Sequence, residues 1–501
     1  MEINAKNPLL IPNNITMPKN RLFISNVILS IVIIVFLEIC HFVFRPASNF
    51  PLIPQLEQST SLNNLNFVLI NIDSLRADHL RIYGYSQNTT PFLDSLFREG
   101  IVFKNAIAPG YLTFQTDAAI FSGLYPSQNN VQTWDTPIND KLYLLPKILS
   151  FYGYKTAAFV SASLWEYFGF SKQFDEYRLA GTMKNIAETK IKVADWIKNH
   201  QNSHFFLFWH IYDVHLPYRK VETDYTGPFS YSDISWKWEA QTTNSIPQRV
   251  SLNGKEELNW LPLNKDDVEY LRYTYDEGIK YVDAQLQDFF NQIKQFPNYQ
   301  NTVFIISSEH GEDLKEHGFI FHRDLYDVNI HVPLIIIAPG FTFKEINEPV
   351  NLLDLMPTIL ELANVKIPEN IEGKSLVPLI EGFSSGDRPI YTERPPYDEY
   401  SVHLGDWKYI LRNPEKKEMG KITKIDGSSP FFDSILQSDS TFIDELYYLK
   451  NDPQEQNNLI GKGFAIEDKL KNLALEFRVK MSNARSANHI EKLQIPILTY
   501  P

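Results

Sequence analysis

A chain of 501 residues has room for a large domain and a smaller one, or for about three average domains as a loose prior. With 44% hydrophobic and 21% charged residues, it reads as a folded globular protein and not a disordered one. A net charge of -13 argues against a nucleic-acid partner, which needs a basic face. An acidic protein can still take an anionic ester where a metal ion and histidines meet in one pocket.

In chain order, the first element is an apolar run, LFISNVILSIVIIVFLEICHFVF (22–44). It is long enough to span a bilayer core, which needs about 20 such residues. Lys6, Lys19 and Arg21 precede it and Arg45 follows, a bias that puts the N-terminus in the cytoplasm and the rest outside. No small-residue cleavage site follows, so an uncleaved signal-anchor is expected. Glu38 and Ile39 before Cys40 make a poor lipoprotein box. Cys40 is the one cysteine, so no intramolecular disulfide and no cysteine zinc site can form. An exported domain without disulfides suits a bacterial periplasm or cell surface. Residues 45–65, rich in Pro, Asn and Ser, read as a linker.

Apolar runs then alternate with helical patterns. FVLINI (67–72), KTAAFVSA (155–162), HFFLFWHI (204–211), TVFIIS (302–307) and VPLIII (332–337) read as buried strands. TPFLDSLFREG (90–100), LLPKILSFYG (144–153) and YTYDEGIKYVDAQLQDFFNQIKQF (273–296) read as helices. This alternation predicts an α/β domain with a large mixed, mostly parallel sheet flanked by helices. The last ~120 residues carry short polar-interrupted strands such as YSVHLGDWKYILR (400–412) and a helical pattern near 465–484, a smaller α+β C-terminal subdomain.

Ligands of open α/β sheets sit beyond the carboxyl ends of the strands. FVLINI runs into Asp73, HFFLFWHI into Asp213 and His215, and TVFIIS into Glu309 and His310. A hard divalent cation takes carboxylate oxygens, and an added imidazole shifts the preference toward Zn or Mn. A lone Asp after a strand is more often a turn or cap residue; several polar groups at one end of several strands are harder to dismiss. TDAAIFSG (116–123) reads as a short helix closed by Gly123. Thr113 stands just before it. Spacing alone favours a plain N-cap. The alternative is a hydroxyl at the positive end of the helix dipole, activated by a metal held by Asp73, Glu309 and His310.

NIDSLRADHL, TTPFLDSLFREGIVFKNAIAPG, SSEHGEDLKEHG, DVHLPY, LLDLMPTILELANVKIPENIEGKSLVPLI, GDWKYIL and ELYYLKNDPQEQNNL occur in this order between residue 66 and about 460. In that order and spacing they resemble the sulfatases, within the alkaline phosphatase superfamily. The resemblance implies an alkaline phosphatase/sulfatase-like catalytic domain (66–383) and a C-terminal subdomain (384–501), after a cytoplasmic tail (1–21), the anchor (22–44) and the linker (45–65). It makes Asp73, Glu309 and His310 ligands of one divalent metal ion (Ca, Mg, Mn or Zn). It makes His215 and His322 contacts to the ester oxygens, with His317 a weaker substrate-binding candidate.

The chain also departs from the family. Sulfatases convert a Cys or Ser in C-x-P-S-R to formylglycine, and that position, ten before Gly123, holds Thr113. Gln115 and Asp117 replace the Pro and Arg, and Ser74 replaces a second metal-binding Asp. Ser161 stands where a catalytic Lys is expected, Glu309 lengthens an Asp, and His331 replaces an Arg. What survives resembles the superfamily branch with a directly coordinated Thr, the phosphoethanolamine transferases and lipoteichoic-acid synthases. Thr113 thus becomes both nucleophile and metal ligand.

Three readings stand open. The first is a membrane-anchored, extracytoplasmic hydrolase or transferase of phosphate or sulfate esters, phosphate preferred, acting on a glycan or lipid headgroup. The others are a catalytically inactive binding protein and a true sulfuric ester hydrolase. The excursion 219–265, with Tyr225, Phe229, Tyr231, Trp236, Trp238 and Trp260, either stacks on sugar rings or packs a small core of its own. Trp134 and Tyr125 are further pocket candidates.

Overall fold

A computed structural model describes residues 65–493 except 134, 162–163, 180–183, 217, 219–244, 253–254, 263, 319 and 414–442. The chain divides into two units, Met1–Asn49 and Phe50–Pro501, and the described residues lie in the second. No helix among them is long and apolar enough to cross a membrane. The expected anchor at 22–44 lies outside the described residues, as do Trp134, Tyr225, Phe229, Tyr231, Trp236 and Trp238.

The strands in chain order are β1 (Asn66–Ile72), β2 (Ile101–Ile107), β3 (Lys155–Val160), β4 (Glu176–Leu179) and β5 (Phe205–Ile211). A hairpin of β6 (Ser245–Leu252) and β7 (Lys255–Pro262) falls in the excursion, with Trp260 on its second strand. Then come β8 (Thr302–Ser307), β9 (Asp313–Leu314), β10 (Ile320–Phe321), β11 (His331–Ile337), β12 (Lys344–Ile346) and β13 (Val350–Asn351). The last four are β14 (Ile390–Arg394), β15 (Glu399–Leu404), β16 (Trp407–Leu411) and β17 (Glu445–Tyr448). The main sheet runs β12-β2-β11-β8-β1-β5-β3-β4, with β13 beside β2. All its pairings are parallel except the two made by β11.

The five expected strands appear as β1, β3, β5, β8 and β11. The sequence reading missed β2, whose apolar run is broken by Lys104 and Asn105. Lys104 escapes burial by donating to Ile82 O at 2.5 Å.

The sheet is covered on both faces, as runs buried on both sides require. Phe67 and Leu69 of β1 join one core cluster, and Val68, Ile70 and Ile72 join the other. Helices α1 (Pro91–Phe97), α2 (Thr113–Ser122), α3 (Leu145–Phe151), α4 (Ile186–Asn199), α5 (Lys265–Ile293) and α6 (Leu355–Leu362) belong to this domain. Helix α5 starts earlier than its apolar pattern, because Asn264 and Asp267 form a capping box.

The C-terminal region is an antiparallel sheet, β14-β15-β16-β17, with Gly405 at a φ of 57° turning β15 into β16. Helix α7 (Ile466–Leu493) covers it: Leu470, Ala474, Phe477 and Met481 pack on Tyr400, Val402, Tyr409 and Leu446. The same cluster takes in Ala119, Tyr125 and Leu353 of the large domain. Tyr125 lies with its ring 4.8 Å from that of Phe477, so it packs beneath α7 and is not a pocket wall.

Candidate active site and metal centre

The site gathers at the carboxyl ends of β1, β5 and β8. The register Asn71↔His210 and Asn71↔Ser307 sets these ends level. Asp73 N–H donates to Ile211 O at 2.8 Å, which holds the turn after β1 against β5. Ser74 then takes a φ of 62°, uncommon for a residue with a side chain. Its hydroxyl donates to Asp73 Oδ1 at 3.0 Å, and Tyr275 OH donates to its carbonyl at 2.7 Å. After β8, Glu309 and His310 turn under the sheet edge. Gly311 is required there, since a Cβ would lie 2.1 Å from Val328 O.

Asp73, Glu309 and His310 are fully buried and each offers a ligand atom within 4.8 Å of the others. Among the described residues, Asp73 Oδ2 and both oxygens of Glu309 accept no hydrogen bond. Buried carboxylates left so are costly unless a cation compensates them. Burial and then Asp73 push the Glu309 carboxyl well above its usual range. Burial acts the same way on Asp73, but the His215, His210 and His310 imidazoles hold it well below. His310 Nδ1–H donates to Gly311 O at 3.0 Å, so Nε2 turns its lone pair into the cluster. These residues fit a divalent cation.

Thr113 is the first residue of α2, and Leu112, in extended conformation, is the N-cap. The N-cap reading of Thr113 therefore fails, and the helix begins three residues earlier than expected. The hydroxyl is half-buried and lies 3.0 Å from His310 Nε2. Gly123 closes α2 at a φ of 65°, as expected. Asp117, one turn on, is buried and accepts from Asn71 Nδ2 at 3.0 Å.

Two further imidazoles face the same place. The His322 ring stacks on His310 at 3.7 Å, and the His215 ring is 5.3 Å from His322. His215 Nδ1–H donates to Leu216 O, and its ring stacks on Tyr212 at 4.2 Å. Burial takes His215 down to about 4 and His322 well below its usual range. Phe321, just before His322, has a φ of 96°. Such a backbone costs on the order of 1–3 kcal/mol and concentrates at functional sites.

The structure does not bring His317 into this group. Its ring stacks on Tyr326 at 3.6 Å, and Asp324, Lys408 and Glu445 surround it. Asp213 accepts from Ile186 N–H at 3.1 Å and caps α4, the turn-or-cap role. Ser161 donates to His210 O at 2.9 Å, and His331 Nε2 lies 2.8 Å from Lys104 O, a link between strands.

Two residues escaped the sequence reading. His210, within β5, is fully buried with Nε2 3.3 Å from Asp73 Oδ2 and 3.5 Å from Glu309 Oε1. Its signal was a lone polar side chain near the end of an apolar strand. Glu312 is fully buried, with Oε1 3.6 Å from His322 Nδ1. Lys184 adds a cation nearby, donating to His215 O at 2.5 Å.

Residues 65–365 match the family model described as Sulfatase. The chain is 23% identical over 464 residues to Arylsulfatase K of Canis lupus familiaris, covering 81% of this chain and 82% of that protein. It is 24% identical over 435 residues to Delta 4,5-hexuronate-2-O-sulfatase of Bacteroides thetaiotaomicron, covering 79% and 84%. Among solved structures, the phosphonate monoester hydrolase of Agrobacterium radiobacter superposes with a TM-score of 0.62 at 17% identity, covering 84% of this chain and 95% of that one.

Proposed function

This chain belongs to the sulfatase family, and from that premise we propose that it is a metal-dependent ester hydrolase in which Thr113 attacks a phosphate ester. The observation that carries this reading is the Thr113 hydroxyl, 3.0 Å from His310 Nε2 at the first turn of α2 and beside the Asp73–Glu309–His310 cluster. A divalent cation held by Asp73, Glu309, His310 and Thr113 would supply the positive charge that lowers the hydroxyl's pKa and screens the ester oxygens. Thr113 Oγ1 forms a bond to phosphorus as the ester bond breaks, and the hydroxyl proton ends on the leaving oxygen, giving phosphothreonine and the free alcohol. Water then attacks the phosphorus, the bond to Oγ1 breaks, and the phosphate is released as Thr113 regains its proton. His322, stacked on His310, and His215 beside it would contact the non-bridging and leaving oxygens. The peptide dipole of α2 favours an anion at the same point.

A plain Thr alcohol favours phosphorus over sulfur, because a phosphothreonine can be opened by attack at phosphorus. The sulfate-ester reading is supported by the relatives named above as sulfatases. Hydrolysis is preferred to transfer, since the similar proteins named are sulfatases and a hydrolase. The substrate class we propose is an anionic ester on a glycan or lipid headgroup. Residues 22–44 would hold the domain at the outer face of a membrane, a reading supported by their apolar length and flanking charge.

The test uses the full chain and Thr113→Ala, each loaded with Ca, Mg, Mn or Zn and assayed on aryl phosphate mono- and diesters and aryl sulfate. Thr113-dependent turnover of a phosphate ester is expected. Turnover of sulfate alone would move the assignment to a sulfuric ester hydrolase. No Thr113-dependent turnover, together with no bound metal in the purified protein, would leave the inactive binding protein.

A further inference from the structure

Resting on the metal-dependent reading above, we propose that His210 is a further protein ligand of the same cation, so that two carboxylates and two imidazoles join Thr113 there and the centre selects Zn over Ca and Mg. The residue is placed for this by the sheet itself. Its backbone pairs with Asn71, one strand over and two residues before Asp73, and the Ser161 hydroxyl holds its carbonyl at 2.9 Å. Every other residue of β5 is apolar, and all seven are buried. An imidazole in such a run loses hydration and must be compensated by what it meets there.

What it meets are the two carboxylates of the cluster. His210 Nε2 lies 3.3 Å from Asp73 Oδ2 and 3.5 Å from Glu309 Oε1. His310 Nε2 lies 3.9 Å from Asp73 Oδ1 and 3.8 Å from Glu309 Oε1. Two imidazole nitrogens thus face the same two carboxylates, and His210 is the nearer. Ligand bonds of about 2.0–2.1 Å at angles of roughly 90–120° put neighbouring donor atoms roughly 2.9–3.6 Å apart. The His210 separations match that spacing. Glu309 keeps Oε2 without a hydrogen bond among the described residues, so it has an oxygen to give. Ca and Mg take oxygen ligands and gain little from two nitrogens, whereas imidazole suits Zn. The competing arrangement is an imidazolium at His210 that simply pairs with both carboxylates.

The experiment uses the full chain stripped with a chelator, with His210→Asn and His210→Gln beside it, folding checked by circular dichroism. Cu(II) loading and pulsed electron paramagnetic resonance count the coordinated imidazoles, and chelator competition gives Zn and Ca affinities. The expected result is two imidazoles in the wild type and one in the variants. Zn affinity should fall by more than about 100-fold, the upper end for a residue that only supports a ligand, and Ca affinity should change far less. One imidazole in the wild type, or Zn binding within about tenfold of wild type in both folded variants, overturns this inference and leaves the hydrolase reading intact. A wild type that binds neither Zn nor Cu also overturns this inference, and one that binds no Ca, Mg or Mn either overturns both.

Discussion

Lys408 joins the two parts of the molecule at a point where its removal should be felt at the active site. Its side chain is fully buried on β16, with Nζ 2.6 Å from Asp327 Oδ1 and 2.6 Å from Glu455 Oε1. Asp327 also lies 2.9 Å from His403 Nε2, and its N–H donates to Glu455 Oε2. Asp327 follows His322 by five residues, so this network anchors the segment that carries His322 to the C-terminal sheet. Each contact at 2.6 Å is on the order of 6 kcal/mol at an effective dielectric of 20, but desolvating each ion costs several kcal/mol in return. The net value of the intact network is therefore small, and the loss on breaking it is large. Lys408→Met leaves two buried carboxyl groups without their cation and should destabilise the protein by about 3–5 kcal/mol. Replacing all three charges together, Lys408→Met with Asp327→Asn and Glu455→Gln, should recover most of that loss. Urea unfolding followed by tryptophan fluorescence measures stability, and ester turnover on the same samples reports the seating of His322. A Lys408→Met loss below about 1 kcal/mol, the value of a surface pair, or a triple variant no better than the single one, would refute the reasoning.

Two further outcomes are expected. His215→Gln and His322→Gln should each lower kcat by about 10²–10³-fold, the range for losing one hydrogen-bond donor to the reacting oxygens, while Zn binding, measured by chelator competition, stays near wild type; loss of metal instead would make either residue part of the metal centre. Glu393 should shape the pH dependence of stability, because burial pushes its carboxyl up to about 7 against hydrogen bonds from Ser127 N–H and Oγ. The folded state therefore keeps a proton that the unfolded chain releases near ~4.3. That contribution is fully present below this value and falls by roughly 1.4 kcal/mol per pH unit as the pH rises toward 7. Thermal unfolding of Glu393→Gln between pH 4.5 and 8 should lack this slope, and parallel curves would remove Glu393 as its source.

The sequence by itself determined the strands that frame the site and the sheet's functional edge. Runs such as FVLINI and TVFIIS must be buried on both faces, so they can only be interior strands. The polar residues within three positions of their ends, Asp73, Glu309 and His310, must then gather at one end. Neighbours in the chain carry that information, so it is legible without a fold. Only the tertiary structure decided which polar groups meet. Asp213 follows its strand just as Asp73 does, yet it caps α4. Tyr125 lies close in sequence to Thr113, yet it packs under α7. His317 belongs to the same stretch as Glu309, yet it stacks against Tyr326. His210, which looks in sequence like one more strand residue, stands against both carboxylates because β5 pairs with β1 in a single register. A shift of one residue in that register would turn it to the other face. The register of β5 on β1 and the seat of Tyr125 under α7 arise from contacts between segments more than a hundred residues apart, and local residue patterns do not encode them.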